Sequence, residues 1–286
     1  MGRWVSIILI SLPFLFTGLS CKKPAEPLHG SADPPVVGSV PFKPLQRRMV
    51  RQNHRNFVLL VRMNVLTVRL PIGAVSKSEE LWSYLDEESV GVQKSSALAM
   101  NGIRIGVGRK GDWNEVYQVL RRHTAQPLKR SVALGPAGRT MPIVFKPRQK
   151  SQTIFTYRQD ITLFGRDYPP GDNVLMTAAS IDYDNPEMIH VSGAFVIRSS
   201  QRRMGYVNRG GKYGIVSEPI YYRLGGLGFH ISVPKGGFIL IGPGKDIERP
   251  SSIGHQFLVD NEKAIEFETV VILAPEIFAA PVGGSE

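Results

Sequence analysis

Cysteine is almost absent from this chain of 286 residues, which contains only Cys21. A disulfide needs two cysteines, so none can form within the chain. No thiol occurs after residue 21, so the rest of the sequence offers no nucleophile for thiol-based catalysis. The position of this single cysteine near the N-terminus is therefore the first feature to explain.

Recognisable catalytic motifs are also missing. The six histidines are His29, His54, His123, His190, His230 and His255. None stands three or four residues from another histidine, so the sequence gives no indication of a zinc site. No G-x-S-x-G motif marks a nucleophile elbow, although a triad can still assemble in space from distant residues. We therefore predict no catalytic residue and keep an enzyme as the alternative to a binding protein.

The segment "DYDNPE" brings together Asp182, Asp184 and Glu187, whose oxygens are suited to Ca²⁺. It lacks the glycine and the distal glutamate of an EF-hand loop. Asn185-Pro186 instead predicts a hairpin turn, in which Asp and Asn side chains bond their own backbone. We predict a turn here and no metal site.

Gly106, Gly108 and Gly111 spell G-x-G-x-x-G between a predicted strand and a predicted helix, the setting of a dinucleotide-binding motif. Such a motif also needs an acidic residue about 20 positions later, where this sequence is basic and then neutral. We predict a glycine-rich turn and no nucleotide or other cofactor.

Long apolar runs are rare, and the one near the N-terminus has the layout of an export signal. Arg3 is followed by the uncharged run Val5–Leu19, and small residues then precede Cys21. The run is shorter than the ~20 residues that a membrane span needs, and Pro13 weakens it as a helix. We predict that residues 1–20 are a signal peptide.

The tetrapeptide Gly18-Leu19-Ser20-Cys21 resembles the lipobox of bacterial lipoproteins, with Ser20 and Cys21 in the expected places. Gly18 and Leu19 depart from it, because the lipobox usually has Leu and then a small residue there. The resemblance implies a fatty acid such as palmitate on Cys21, and Lys22 implies delivery to the outer membrane, facing the periplasm. Ordinary cleavage after Ser20 and an uncleaved anchor remain as alternatives.

The patterning divides the chain into four segments: the signal peptide, a tether, a small α+β module and a β-rich domain. Residues 21–56, rich in Pro, Gly, Ser and basic side chains, predict a tether after the signal peptide. A strand from Phe57, helices over 76–89 and 94–102, and a strand and helix up to His123 predict a small α+β module over residues 57–130.

Helical signals then give way to β-rich patterns punctuated by Gly and Pro turns. Residues 131–286 therefore predict a mainly antiparallel β-rich domain, sandwich or barrel-like. Within it, the apolar run Val270–Leu273 predicts a strand buried on both faces. The predicted fold class for the whole chain is α+β.

Acidic residues are the minority, at 24 against 35 Lys and Arg, and the net charge is +11. A basic protein is attracted to polyanions, which for an exported chain means lipid headgroups, lipopolysaccharide or cell-wall polymer. The basic run Lys43–Arg55 suits such a surface, or else is a solubilising end of the tether. We predict no nucleic-acid partner.

A second basic segment, Ser199–Gly214, places four cations among glycines and two tyrosines. The candidate anion-binding residues are Arg202, Arg203, Arg209 and Lys212. Arginines can bind phosphate or carboxylate with both arms of the guanidinium. The alternative interpretation is a solvated hairpin loop without a ligand.

Three short motifs mark the end of the chain: Pro234-Lys235-Gly236 before an apolar strand, Ile241-Gly242, and Leu273-Ala274-Pro275-Glu276 at the end of a later strand. In this order they resemble the closing β region of secretins, the ring channels of the outer membrane. The resemblance implies strands that assemble with partners. It also makes residues 57–130 similar to the small ring-building domains of such machines.

Taken together, these patterns predict a lipid-anchored cell-envelope protein without enzymatic activity. It would bind or assemble with other envelope proteins, or with anionic cell-wall or lipid surfaces, in a secretion or outer-membrane complex. The alternative is an exported hydrolase of cell-wall glycan or peptide, with a site that forms only in the folded chain.

Overall fold

The computed structural model describes residues 57–281 except 125, 159–161, 210 and 263. The predicted signal peptide, the predicted tether and Cys21 lie outside the described residues. The strands are β1 (Phe57–Pro71), β2 (Ile103–Gly108), β3 (Lys129–Pro136), β4 (Met141–Gln149), β5 (Gln152–Tyr157), β6 (Leu163–Tyr168), β7 (Gly171–Ile181), β8 (Met188–Arg209), β9 (Lys212–Arg223), β10 (Phe229–Pro234), β11 (Phe238–Pro243), β12 (Val259–Glu262) and β13 (Ile265–Pro281). The helices are α1 (Val92–Met100), α2 (Trp113–His123) and α3 (Ile253–Leu258).

Sheet 1 has β13 and β1 at its centre. Its antiparallel order is β2-β11-β13-β1-β3, and β12 pairs with β13 beside this path. Successive residues of β13 enter two different cores, with Val271 and Leu273 in one and Val270 and Ile272 in the other. The prediction that this run is buried on both faces is confirmed.

Sheet 2 has the antiparallel order β10-β8-β7-β4, and β9 pairs with the later part of β8. Alternate residues of its strands face sheet 1, because side chains of a strand alternate between the two faces. Phe195 of β8 is fully buried in the core shared with Leu273 of sheet 1. Its ring meets that of Phe257 in α3 edge-on, with centroids 5.5 Å apart. The two sheets thus bury each other's inner faces.

The other face of sheet 1 is covered by α2 and by the segment 72–85. Val116 and Leu120, one turn apart on α2, are buried in the same core as Leu240 of β11. The ring of Trp113 meets that of Phe238 edge-on at 5.3 Å. This apolar stripe is the one that the 3.6-residue period predicts, so the helix over this segment is confirmed.

The helix predicted over residues 76–89 is wrong, because that segment contains two short 3-10 turns, Trp82–Tyr84 and Glu88–Val90. Glu268 of β13 determines its course. Its buried carboxylate accepts hydrogen bonds from the N–H groups of Gly73 at 2.7 Å and Val75 at 2.9 Å, and from the Ser76 hydroxyl. A buried carboxylate needs such donors, so the backbone of this segment turns around Glu268 instead of continuing as a helix.

The glycines of the G-x-G-x-x-G pattern are explained by packing. A Cβ on Gly108 would stand 2.1 Å from the Phe238 ring, and one on Gly106 would stand 2.8 Å from Leu85. Side chains at these positions would displace core residues on the outer face of sheet 1. Gly106 and Gly108 therefore reflect close contacts of strand β2, and only Gly111 lies in the predicted turn before α2.

The predicted α+β fold class is wrong: the described chain is mainly antiparallel β, in several open sheets. The first strands of the segment 57–130 do not form a local module, because β1 pairs with β13 and β2 pairs with β11. Periodicity reveals which segments are strands but not which distant segment each one joins. The proposed boundaries at residues 20, 56 and 130 stay predictions.

Candidate functional surface

The end of β8 leaves sheet 2 as a two-stranded arm. As far as Ser199, β8 pairs with β7. From Arg202 opposite Pro219 to Arg209 opposite Lys212, the pairing in the described residues is with β9. We call these paired segments, residues 202–209 and 212–219, the arm. The segment predicted as a basic loop is thus an extended hairpin.

The root of the arm is fixed by polar contacts. Asp172 of β7 accepts hydrogen bonds from the Arg198 guanidinium at 2.6 and 3.0 Å and from the Arg148 N–H at 2.8 Å. Burial alone would raise the pKa of Asp172, but the Arg148 N–H and the Arg198 guanidinium outweigh it and hold that pKa below its ordinary value. The ionised carboxylate therefore ties β4, β7 and β8 together where the arm begins.

One face of the arm is apolar and exposed. Residues that oppose each other in an antiparallel pair share a face, so Tyr206 and Ile215 lie side by side. Met204 and Tyr213 are the next apolar residues on the same face, since each lies two positions from one member of that pair. The exposed fractions are 80% for Tyr206, 62% for Ile215, 72% for Met204 and 79% for Tyr213. We call these four side chains the apolar face.

The predicted anion-binding residues are divided by the strand period. Arg202 lies on the same side as the apolar face, and its guanidinium donates to the Ser217 hydroxyl at 3.0 Å and carbonyl at 2.7 Å. Arg203 lies on the opposite side, 4.0 Å from Glu218. The backbones of Arg209 and Lys212 pair at the end of the arm, and their side chains lie outside the described residues. Anion binding by these four residues stays a prediction.

A second cluster lies on the outer face of sheet 2. His190 of β8 pairs with Ser232 of β10, and its Nδ1 lies 3.0 Å from the Ser232 hydroxyl. Its Nε2 lies 3.1 Å from a carboxylate oxygen of Asp182. The ring of His230 stacks on that of His190 with centroids 5.4 Å apart. Serine, histidine and aspartate thus form one chain of contacts from β10 through β8 to the turn after β7.

The environment of this cluster sets its charges. The other carboxylate oxygen of Asp182 accepts hydrogen bonds from the N–H groups of Asp184 and Asn185, which confirms the predicted turn. The Asp184 N–H, the Asn185 N–H and His190 together lower the pKa of Asp182 against a smaller opposing effect of burial. Burial, and then the charge of His190, lowers the pKa of His230. The aspartate is therefore ionised at neutral pH and His230 favours its neutral form.

This order of groups is that of a nucleophile, a base and the residue that orients the base. The ring nitrogens are exchanged relative to serine proteases, where Nε2 faces the serine. Sequence reasoning missed the cluster because Ser232 on β10 is more than forty residues from His190 on β8 and Asp182 in the turn before β8. The pairing of His190 with Ser232 follows only from the register of β8 and β10.

Two concave regions lie elsewhere. A groove of about 660 Å³ on the outer face of sheet 1 is lined by apolar residues that include Leu66, Trp113 and Phe238. A polar hollow of about 550 Å³ lies between Arg148 and Thr153 and reaches Gln256. Neither is lined by the serine–histidine–aspartate cluster.

In the part of the chain that the structure describes, no three His, Cys, Asp or Glu side chains are grouped as metal ligands would be. Within the same residues, every helix is too short or too polar to cross a membrane.

Comparison with models of protein families found no match, and comparison with curated proteins found none either. Solved structures that match weakly include the InvG secretin domain of the Salmonella SPI-1 injectisome, with 11% identity, 81% of this chain and 64% of that chain covered, and a TM-score of 0.16. Another is the ETEC secretin GspD in complex with the pilotin AspS, with 9% identity, 78% and 48% covered, and a TM-score of 0.19. This chain spans less than two thirds of either one. Both are of the class that the C-terminal motifs resemble, but scores this low establish neither a shared family nor a shared function.

Proposed function

We propose that this protein is a lipid-anchored component of the bacterial cell envelope, held through Cys21, that binds or assembles without catalysing a reaction. Its setting would be a secretion or outer-membrane complex. The apolar face of the arm is the binding surface in this proposal. The N-terminal sequence supports the anchor, and the geometry of the arm supports the binding role.

One observation carries the binding role. The apolar face exposes two tyrosines, a methionine and an isoleucine on a strand pair that extends beyond the rest of sheet 2. Exposed apolar residues standing singly are normal, whereas a contiguous group of them marks an interaction site. Tyrosine and methionine are also enriched where proteins make contacts. An extended arm with such a face is suited to binding and contributes little to a core.

The anchor is tested by fractionation. Cys21→Ala is expected to abolish labelling with radioactive palmitate and to release the protein from membranes into the soluble envelope fraction. A Cys21→Ala protein that still sediments with membranes would contradict the lipid anchor and favour an uncleaved N-terminal helix.

The binding surface is tested with a photo-crosslinking amino acid placed at Tyr213 in intact cells. We expect it to crosslink to an envelope component, whether protein or lipid. Tyr183, which is 75% exposed and lies in the turn after β7, is the matched control position. Equal crosslinking from both positions, or none from either, would count against the arm as the binding surface.

A second candidate function is hydrolysis of cell-wall peptide, and the chain Ser232–His190–Asp182 is the observation that favours it. The cluster does not support hydrolysis of glycan, because a glycosidic bond has no carbonyl carbon for a serine to attack. In this reaction Ser232 Oγ attacks a carbonyl carbon, His190 takes the hydroxyl proton and passes it to the leaving group, and water then releases the acyl group. A fluorophosphonate probe would react with Ser232 in the wild type and fail to react with Ser232→Ala. Absence of labelling in the folded wild-type protein would reject this function.

A further inference from the structure

The side chains of the apolar face belong to types that suit the boundary between lipid and water. Tyr206 and Tyr213 each have a ring that favours hydrocarbon and a hydroxyl that favours water, which is why tyrosine is enriched at membrane interfaces. Ile215 and Met204 stand beside them as purely apolar groups. Their exposed fractions of 62% to 80% leave all four accessible to a flat surface.

The charge of the arm favours an anionic surface. Residues 202–219 contain four basic side chains and one acidic one, Glu218. Arg202 lies on the same side of the arm as the apolar face. Basic residues next to apolar ones are attracted to anionic headgroups while the apolar groups enter the interface. A neutral bilayer would lack the first of these two attractions.

The size of the face favours a surface over a shaped protein partner. A specific protein–protein interface uses roughly 20–30 residues on each side, and the apolar face has four. Four side chains give weak binding by themselves. A tether to the same surface compensates for this, because it keeps the local concentration of the arm high.

The distances allow the anchor and the arm to meet one membrane. The start of β1 lies near the Ala179 end of β7, since the Gly138 N–H bonds the Ala179 carbonyl and the Ala137 N–H bonds the Leu59 carbonyl. The arm begins at the other end of β7, where Gly171 pairs with Ser199. These ends are about 27 Å apart at the rise of a strand, which is well within the roughly 120 Å contour length of a chain with as many residues as 21–56.

We propose that the apolar face of the arm rests in the interface of a bilayer that contains anionic lipids. This inference rests on the proposed function, because it names what the binding surface of the anchored protein contacts. The arm then holds sheet 2 against the membrane while the anchor retains the chain. An envelope protein as the partner of the arm is the competing outcome.

The test places an environment-sensitive NBD dye on the arm of the lipidated protein. Tyr213→Cys supplies the thiol, and a lipidated Cys21 leaves it as the thiol that reacts. Tyr183→Cys is the matched control, since it is a tyrosine of similar exposure outside the arm. Each labelled protein is reconstituted with vesicles of phosphatidylcholine alone and with vesicles that also contain phosphatidylglycerol.

We expect the dye at position 213 to shift its emission to shorter wavelength on phosphatidylglycerol vesicles and to be quenched by nitroxide-labelled lipid. The shift should largely disappear at high salt, because salt screens the headgroup attraction. The dye at position 183 should show neither change. Adding Tyr206→Ser to the Tyr213→Cys protein should reduce the shift.

Identical emission from positions 213 and 183 on both kinds of vesicle would overturn the inference. If the arm then still crosslinks to a protein in intact cells, the binding role survives and the lipid contact is wrong. If the parent protein reacts with the dye at Cys21, the lipid anchor is wrong. In that case the contact between the arm and lipid is tested by co-sedimentation of the Cys21→Ala chain with the same vesicles. Less co-sedimentation after adding Tyr206→Ser would support the contact, and an equal amount would overturn it.

Discussion

The centre of sheet 1 and the arm are both long antiparallel strand pairs, yet they present apolar side chains to opposite surroundings. In β13, Val270 to Leu273 are covered on one side by sheet 2 and on the other by α2 and the segment 72–85. In the arm, Tyr206 and Ile215 have no such cover among the described residues. The same strand geometry therefore builds a core in one place and a contact surface in the other.

Polar groups in the two regions differ in the same way. Glu268 is fully buried beside the core of sheet 1 and receives several hydrogen bonds. Arg203 and Glu218 on the arm are half exposed and 4.0 Å apart, where solvent screens their attraction. We infer that the buried groups of sheet 1 contribute strongly to stability, whereas the arm can change its side chains with little effect on folding.

The largest loss of stability is expected from Leu273→Ala in the centre of sheet 1. The side chain is fully buried in the core between the sheets, so its removal should lower the free energy of unfolding by about 2–5 kcal/mol. Denaturant unfolding monitored by circular dichroism measures this. Ile215→Ala on the arm is the control and should change stability by less than about 0.5 kcal/mol. Similar losses of unfolding free energy from the two substitutions would contradict the distinction between a buried strand pair in sheet 1 and an exposed one in the arm.

A smaller loss of stability is expected from Glu268→Gln. The amide keeps the shape of the side chain but replaces one accepting oxygen with a donor that faces backbone N–H groups. Loss of hydrogen bonds to a charged group should lower the free energy of unfolding by about 1.5–3 kcal/mol. Glu276→Gln, at an exposed pair with Arg62, is the control and should cost at most about 1 kcal/mol. Equal stability of Glu268→Gln and wild type would show that the charge is dispensable.

A loss of stability smaller than that from Glu268→Gln, and dependent on pH, is expected at the root of the arm. Asp172→Asn removes the charge that accepts hydrogen bonds from Arg148 and Arg198 and should lower stability by about 1–2 kcal/mol at neutral pH. The folded pKa of Asp172 lies below its ordinary value. Its contribution is therefore complete above an unfolded pKa of about 3.9 and is lost as the pH falls through the folded pKa.

Urea unfolding of both proteins at neutral pH and at successively lower pH values gives the measurement. The difference in unfolding free energy should be full at neutral pH and should narrow below pH of about 4. A difference that stayed constant over this range would mean that the carboxylate charge has no part in it.

Local patterning predicted the elements that carry a strong period. The strand from Phe57, the strand β2, the helix α2 and the helix predicted over residues 94–102 are confirmed. β4 was not predicted, because it contains Pro142 and Pro147, and proline in a strand is tolerated mainly at sheet edges such as this one. The fold class could not be read because the pairing partner of β1 lies about two hundred residues away, a separation that carries no local signal.

The candidate surface was predicted only in part. The sequence singled out Ser199–Gly214 for its cations, but Ile215 lies outside that segment and the apolar face was not recognised. Recognising it requires the register that sets Tyr206 opposite Ile215. The same limit hid Ser232, whose contact with His190 depends on a pairing between β8 and β10.

The smallest change in stability and the clearest change in binding should come from one pair of substitutions on the arm. Tyr206→Ser combined with Ile215→Ser removes two neighbouring apolar side chains that are 80% and 62% exposed. Because little apolar area leaves the core, the free energy of unfolding should change by less than about 0.5 kcal/mol per site. Crosslinking from Tyr213 should nevertheless be lost, because the neighbours that bring that side chain to its partner are gone. If instead the double variant unfolds as easily as Leu273→Ala, the arm packs against something that stabilises the fold, and the distinction between the two strand pairs disappears.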